Sequence, residues 1–319
     1  MPTLLHSFLD WEGKTPGAIF LTQPVGGGHV EDHHWRAVGD QARRFAAYLR
    51  LLDLPPASNI AILGKNSAHW IIADIAIMMA GHVSVPLYTT LNGASARYIL
   101  DHAEARLLIL GKLDGSNDNW PEIEQHLPAG LPLVSLPMSP RRDIAQWDVI
   151  VADHLPLQAV NDPAPGDLCT IVYTSGSTGT PKGVMHSYGS MIAVQEPLRQ
   201  HSNVVPTDRI LCYLPLAHVA ERMSEGLALY NGLHVFFSES LATFPDDLRR
   251  ARPTIFFSVP RLWVKFRQGV DTRLSPRRQR LLFTLPGIAH LARRRVLAGL
   301  WGSTMSASPS PGRLRCRST

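Results

Sequence analysis

Between Trp35 and Leu52, apolar side chains recur at Trp35, Val38, Ala42, Phe45, Ala46 and Leu49, with Arg36, Asp40, Arg43 and Arg44 between them. Three-to-four spacing places the first set on one side of a helix and the charges on the other. Pro55–Pro56 stop that helix, and Asn59–Leu63 reads as a short buried strand. Asn66 or Ser67 can cap a helix running through Trp70 to about Ala80, which Gly81 ends, and His82–Leu87 is the next strand. Ala94–His102 follows as a helix and Leu107–Leu110 as a strand. This alternation predicts an α/β fold with a largely parallel sheet.

Gly111–Gly166, rich in Pro, Gly, Asp and Asn, reads as loops and short elements joining two subdomains. Strand character returns at Leu168–Tyr173. A helix over about Tyr188–Arg199, a strand at Arg209–Tyr213, a helix over Glu221–Tyr230 and strands at His234–Phe237 and Thr254–Val259 come next. Arg277–Trp301 suits one or two basic helices, and Gly302–Thr319, with no apolar periodicity, is expected to be disordered.

Composition supports a sizeable core: 319 residues, 45% hydrophobic and 18% charged, with a mean hydropathy of -0.02. Length alone suggests two domains or subdomains. The most apolar stretch, Ile71–Leu87, is interrupted by Asp74, Gly81, His82 and Pro86 and is read as a buried helix and strand rather than a membrane span. Met1–Phe20 has no basic leader pattern. Cys169, Cys212 and Cys316 are odd in number and widely spaced, which favours a reducing, cytoplasmic setting. The net charge of +5 is uneven, because Arg261–Thr319 holds thirteen Lys/Arg and a single acid, Asp271. Partner arguments from basicity therefore apply only there: Arg277, Arg278, Arg280 and Arg293–Arg295 could meet an anionic membrane or nucleic acid, or simply be solvated.

The most informative segment is Ile171–Gly183, IVYTSGSTGTPKG. A strand leads into Thr174, Ser175, Gly176, Ser177, Thr178, Gly179, Thr180, Pro181 and Lys182. A polyphosphate needs many hydrogen-bond donors within a few ångströms. Hydroxyls and bare backbone N–H groups supply them, glycines let the backbone approach, and Lys182 adds a positive charge. Pro181 before the lysine and Gly183 after it exclude a Walker A loop, and no GxGxxG is present. The competing reading, a Ser/Thr/Gly linker, rarely sits directly after a strand and ends in Pro-Lys-Gly.

YTSGSTGTPKG resembles the AMP-binding signature of the adenylate-forming superfamily, which includes acyl-CoA synthetases, luciferases and nonribosomal adenylation domains. Leu214–Glu221, LPLAHVAE, resembles the second motif of long-chain fatty acyl-CoA synthetases, and Phe256–Phe266 and Asn66–Tyr88 are similar to further parts of their N-terminal domain. The resemblance implies an incomplete N-terminal domain of the adenylate-forming fold over residues 1–300, with mixed and parallel sheets flanked by helices. Its subdomains would be about 1–165 and 166–300, followed by a disordered, out-of-frame-looking tail over 301–319. It also implies a ligase that joins a fatty acid to coenzyme A through an acyl-adenylate, with ATP and Mg²⁺. By the same carry-over, Thr174–Thr180 and Lys182 hold the β- and γ-phosphates, Thr178 serves the metal, and Lys182 and His218 are catalytic, His218 bordering the activated carboxylate. Taken alone, His218 in an apolar turn reads as a structural histidine.

The pattern is incomplete. No Tyr-Gly-x-Thr-Glu segment for adenine and magnesium, no Thr-Gly-Asp segment for the ribose and no mobile C-terminal domain with its catalytic lysine is found in the sequence. The expectation is therefore a truncated family member with little activity of its own. Two other readings stay open: a non-catalytic nucleotide-binding fragment or half of a split enzyme, and an acyl-adenylate former that delivers to a carrier protein.

Overall fold

The computed structural model describes residues 2–115, 118–174 and 180–258, together with 264, 268, 305–307 and 313–316. Arg277–Trp301, expected to be helical, lies outside the described residues, as does most of the tail.

Three elements that the sequence reading did not foresee open the chain. Helix α1 (Leu4–Lys14) is capped by Thr3, and strands β1 (Ile19–Gly26) and β2 (His29–His34) form an antiparallel hairpin. Helix α2 (Trp35–Leu51) buries the predicted stripe, with Gly39 added to it. Strand β3 (Asn59–Leu63) then leads to α3 (Ala68–Ala80), where the Trp70 N–H donates to the capping Ser67 hydroxyl and Gly81 closes the helix at φ +85°. Such a left-handed cap favours glycine.

Strand β4 (Val83–Leu87), α4 (Gly93–His102) and β5 (Leu107–Leu110) complete the predicted alternation. The stretch expected to be a connector holds α5 (Trp120–Gln125), β6 (Leu133–Ser135), β7 (Ala145–Gln146) and α6 (Trp147–Asp153). Strands β8 (Leu168–Thr174) and β9 (Lys182–Ser187) follow. The helix expected at 188–199 is two, α7 (Tyr188–Ala193) and α8 (Gln195–Ser202), divided at Val194. The chain continues through β10 (Arg209–Cys212), α9 (Val219–Asn231), β11 (His234–Phe237), α10 (Phe244–Ala251) and β12 (Ile255–Phe257).

Seven strands form one sheet in the order β7-β6-β5-β3-β4-β8-β9, parallel except for the antiparallel edge strand β9. Four form a second, β10-β11-β1-β2, in which β10, β11 and β1 are parallel. The boundary expected near residue 165 divides neither sheet. Strands β8 and β9 extend the sheet begun by β3, and β1 sits beside β11, because sheet edges are filled by hydrogen-bond pairing rather than by chain order. The tail departs from the expected disorder in two short strands, β13 (Met305–Ala307) and β14 (Arg313–Cys316); β14 pairs antiparallel with β12, satisfying backbone groups on that strand.

Strand side chains alternate between faces. Ile60, Ile62, Leu107 and Ile109 join the main core with α1, α2, α3 and α9 and with Leu21, Ile210, Val235 and Phe237 of the smaller sheet. Ala61, Leu63, Leu108 and Leu110 face the other way, onto α4 and α5. Helix α3 is buried almost all round. Its one charge, Asp74, accepts a hydrogen bond from Arg222 of α9 at 2.9 Å, and Arg222 also pairs with Glu225. Among the described residues no helix is long and apolar enough to cross a membrane.

Candidate functional site

Parallel strands end together, and the loops beyond their carboxyl ends make a crevice where ligands collect in open α/β sheets. Here two sheets contribute. Gly64, Lys65 and Asn66 after β3, Tyr88–Thr90 after β4 and Lys112 and Asp114 after β5 form one side of a cavity of 540 Å³. Tyr213, Pro215 and Ala217 after β10, and Ser238–Ala242 and Phe244 after β11, form the other.

Close backbone approach shapes the first side. A Cβ on Gly64 would lie 2.8 Å from Gly111 Cα, so the ends of β3 and β5 meet through two glycines. On the second side, Tyr213 stacks on buried Phe256 at 5.3 Å and donates its hydroxyl to Phe257 O at 3.1 Å. This places β12 behind the cavity wall.

Two polar side chains tie the sides together. The Asn66 amide donates to Leu214 O at 2.6 Å and accepts from the Leu216 N–H at 2.9 Å, imitating a strand partner; it also reaches Cys212 Sγ at 3.2 Å. Lys112, nearly buried, donates to Glu239 O at 2.7 Å. Burial lowers the Lys112 amine from its ordinary value, an effect opposed by Asp114, Glu239 and Asp247 and assisted by Lys65. From behind the turn, Glu221 accepts from the Leu214 N–H at 3.0 Å, and full burial pushes this carboxyl up to about 8. The segment Leu214–Leu216 is thus held from two directions. Sequence reasoning gave Asn66 only a capping alternative, which Ser67 fills instead, and assigned nothing to Lys112 or Glu221. Their roles come from partners more than a hundred residues away or from burial, and no local pattern signals them.

The hydroxyl- and glycine-rich segment is a hairpin loop. Thr174, the last residue of β8, pairs with Lys182, the first of β9, and both are exposed. Because β8 runs parallel to β4, its last residue, Thr174, lies on the same sheet edge as the cavity. Gly183 has a packing reason: a Cβ there would lie 2.9 Å from Ile171 Cγ2 and 3.1 Å from the ring of Tyr173, whose hydroxyl bonds His102 Nδ1 at 2.7 Å. Ser175, Gly176, Ser177, Thr178 and Gly179 lie outside the described residues. Thr180 is exposed.

The structure does not gather every predicted residue into one pocket. Thr174, Thr180, Lys182 and His218 are not among the cavity's wall residues, although Ala217 is. His218 caps α9, its Nδ1 accepting the Ala220 N–H at 3.1 Å, and its ring is exposed. It stands one position beyond the wall.

A divalent cation asks for several oxygen ligands, usually carboxylates. Among the described residues no group of three His, Cys, Asp or Glu could hold a metal ion.

Comparison with known proteins agrees with this geometry. The family "AMP-binding enzyme" matches residues 8–308. A peroxisomal long chain acyl-CoA synthetase 6 of Arabidopsis thaliana is 32% identical over 256 residues, covering 76% of this chain and 36% of that protein. Long-chain-fatty-acid–CoA ligase 6 of Rattus norvegicus is 35% identical over 221 residues, covering 64% and 32%. The chain therefore spans about a third of the length of these curated relatives. Among solved structures, the adenylation domain of a carboxylate reductase from Mycobacterium chelonae aligns with a TM-score of 0.76 at 21% identity, over 94% of this chain and 52% of that one. A benzoate CoA ligase from Burkholderia xenovorans aligns at 0.70 and 20%, over 82% and 51%. With its parallel sheets, its Thr/Gly hairpin and a family match across most of its length, the chain belongs to the AMP-binding enzymes, the adenylate-forming acyl-CoA and carboxylate ligases.

Proposed function

We propose that this chain is the phosphate-binding part of a long-chain fatty acid–CoA ligase. The observation that carries the reading is the Thr174–Lys182 pair, at the end of β8, on the same sheet edge as a cavity walled by Pro215 and Ala217 of LPLAHVAE. The family reaction has two steps: a carboxylate attacks the α-phosphate of ATP, releasing pyrophosphate, and coenzyme A then displaces AMP as a thioester. In the first step the hairpin's work is positioning and charge neutralisation. Lys182 places a positive charge at the loop mouth, Thr174 and Thr180 offer hydroxyl donors, and the β8–β9 pairing sets Thr174 opposite Lys182. Magnesium bound with the nucleotide would supply further charge neutralisation at the phosphate oxygens. The long-chain reading is supported by the curated relatives, which are long-chain acyl-CoA synthetases and ligases, and by the mostly apolar far wall of the cavity.

Titration calorimetry with ATP on the purified chain and on Lys182→Ala tests the reading. Loss of a charge-assisted phosphate contact weakens binding about tenfold. Equal affinity in the two proteins, or no heat with either, overturns the phosphate assignment. Because the sequence holds neither the adenine nor the ribose segment, the chain on its own is expected to release no pyrophosphate from ATP and palmitate above the Lys182→Ala background.

A further inference from the structure

Lys112 is the one cavity-lining amine that the phosphate reading leaves unused and that is nearly buried. It is the second residue after β5, on the ligand side of the sheet. Its Nζ is held by a single described hydrogen bond, to Glu239 O at 2.7 Å, and it forms no described ion pair. The other lysine in the wall, Lys65, pairs with Asp114 and lies 3.7 Å from Asp118. The same cavity is also lined by Leu87, Tyr88, Tyr213, Leu241 and Phe244, while Glu239, Asp114 and Lys65 are its polar groups that act on Lys112. An amine at the side of an apolar cavity is placed to meet the carbonyl of a ligand whose tail occupies that cavity.

We infer that Lys112 is an acyl-accepting nucleophile, modified by activated carboxylates whose hydrocarbon tails enter this cavity. The lone pair of the neutral amine attacks the carbonyl carbon and a C–N bond forms. The C–O bond to the leaving group breaks, and the leaving group departs with the electron pair. The ammonium proton of the adduct passes to water, leaving an amide. Only the neutral amine reacts, and desolvation, the largest influence on this group, favours it. Asp114, Glu239 and Asp247 favour the ammonium and Lys65 opposes it. The physiological donor would be an acyl-adenylate, a clause that rests on the proposed function; reactivity toward other activated esters does not.

The test uses the full chain with p-nitrophenyl decanoate and, separately, p-nitrophenyl acetate at pH 7.5, followed by tryptic mass spectrometry. Acylation blocks cleavage after Lys112, so a peptide spanning Leu107–Arg141 replaces the two shorter ones. The expected result is decanoylation of Lys112 faster than acetylation by about tenfold or more, as burial of eight further methylenes favours the long tail. Exposed Lys14 should show no such preference. Lys112→Arg should lose the signal while Lys14 is labelled as before. Labelling of Lys112 no faster than Lys14, or without dependence on chain length, overturns the inference. The chain-length comparison needs no substitution, so a poorly folded variant cannot decide the outcome. Because the probe is not a nucleotide, a Lys112 result stands whether or not ATP binds at the hairpin.

Discussion

At the scale of single residues, the cavity depends on a few side chains with distant partners. Asn66 spans the gap between β3 and the Leu214–Leu216 turn with two good hydrogen bonds. Asn66→Ala leaves a carbonyl and an N–H without their partners, at a cost of about 1–3 kcal/mol. Denaturant unfolding should show that loss, and an environment-sensitive fatty acid probe should bind several-fold more weakly. Asn66→Asp separates packing from hydrogen bonding, since it keeps the acceptor for Leu216 but turns a carboxylate oxygen toward Leu214 O. A loss as large as that in Asn66→Ala would assign the effect to the missing donor. His218 gives the opposite expectation. Its described contact is the α9 cap, so His218→Ala should lower stability by about 1 kcal/mol, as lost caps do, measured by the same unfolding curve.

At the scale of elements, β3 and β5 end at Gly64 and Gly111 with no room for a methyl group. Gly64→Ala should cost about 1–3 kcal/mol by forcing the strand ends apart, read as a lowered denaturation midpoint. It should also change probe affinity, because the displaced backbone is cavity wall. Elements of this kind were legible where apolar runs were long and cleanly punctuated. The bounds of β3, β5 and β11 match the expected runs, and Gly81 ends α3 as its residue type suggests. Strands β6 and β7, with three and two residues, are too short to carry a period-two pattern, so the segment around them read as a connector. The division between α7 and α8 falls at Val194 in a stretch whose helical spacing continues on both sides. Strand β8 was legible as an apolar run, whereas the returning strand β9, with its exposed and half-buried side chains, was not foreseen. The cavity was not legible either, because five separate loops build it.

At the scale of the whole molecule, α3 and α9 are joined through a charged group deep in the core. Arg222 stands between Asp74 and Glu225 with all three buried, and its guanidinium also lies over the Trp70 ring at 5.4 Å. One arginine offsets one carboxylate, so burial raises Glu225 as well as Glu221. A carboxyl whose folded value exceeds its unfolded one keeps a proton that the unfolded chain has released. That contribution to stability is complete below about pH 4.5, declines as pH rises and is gone above about 8. Melting followed by circular dichroism should therefore show Tm falling by about 5 °C or more between pH 5.5 and 8.5. Glu221→Gln should reduce the slope; an unchanged slope would place the titration elsewhere.

The smaller sheet has one more consequence, for synthesis rather than for chemistry. Strand β1 needs β11 beside it, with Leu21 opposite Val235, yet the ribosome delivers them about two hundred residues apart. At roughly 5–20 residues per second, β1 waits about 10–40 s with its partner edge open. Throughout that interval the nascent hairpin β1–β2 is a sticky template, and a chaperone that shields its N-terminal strands would raise the yield of native protein more than one acting after release.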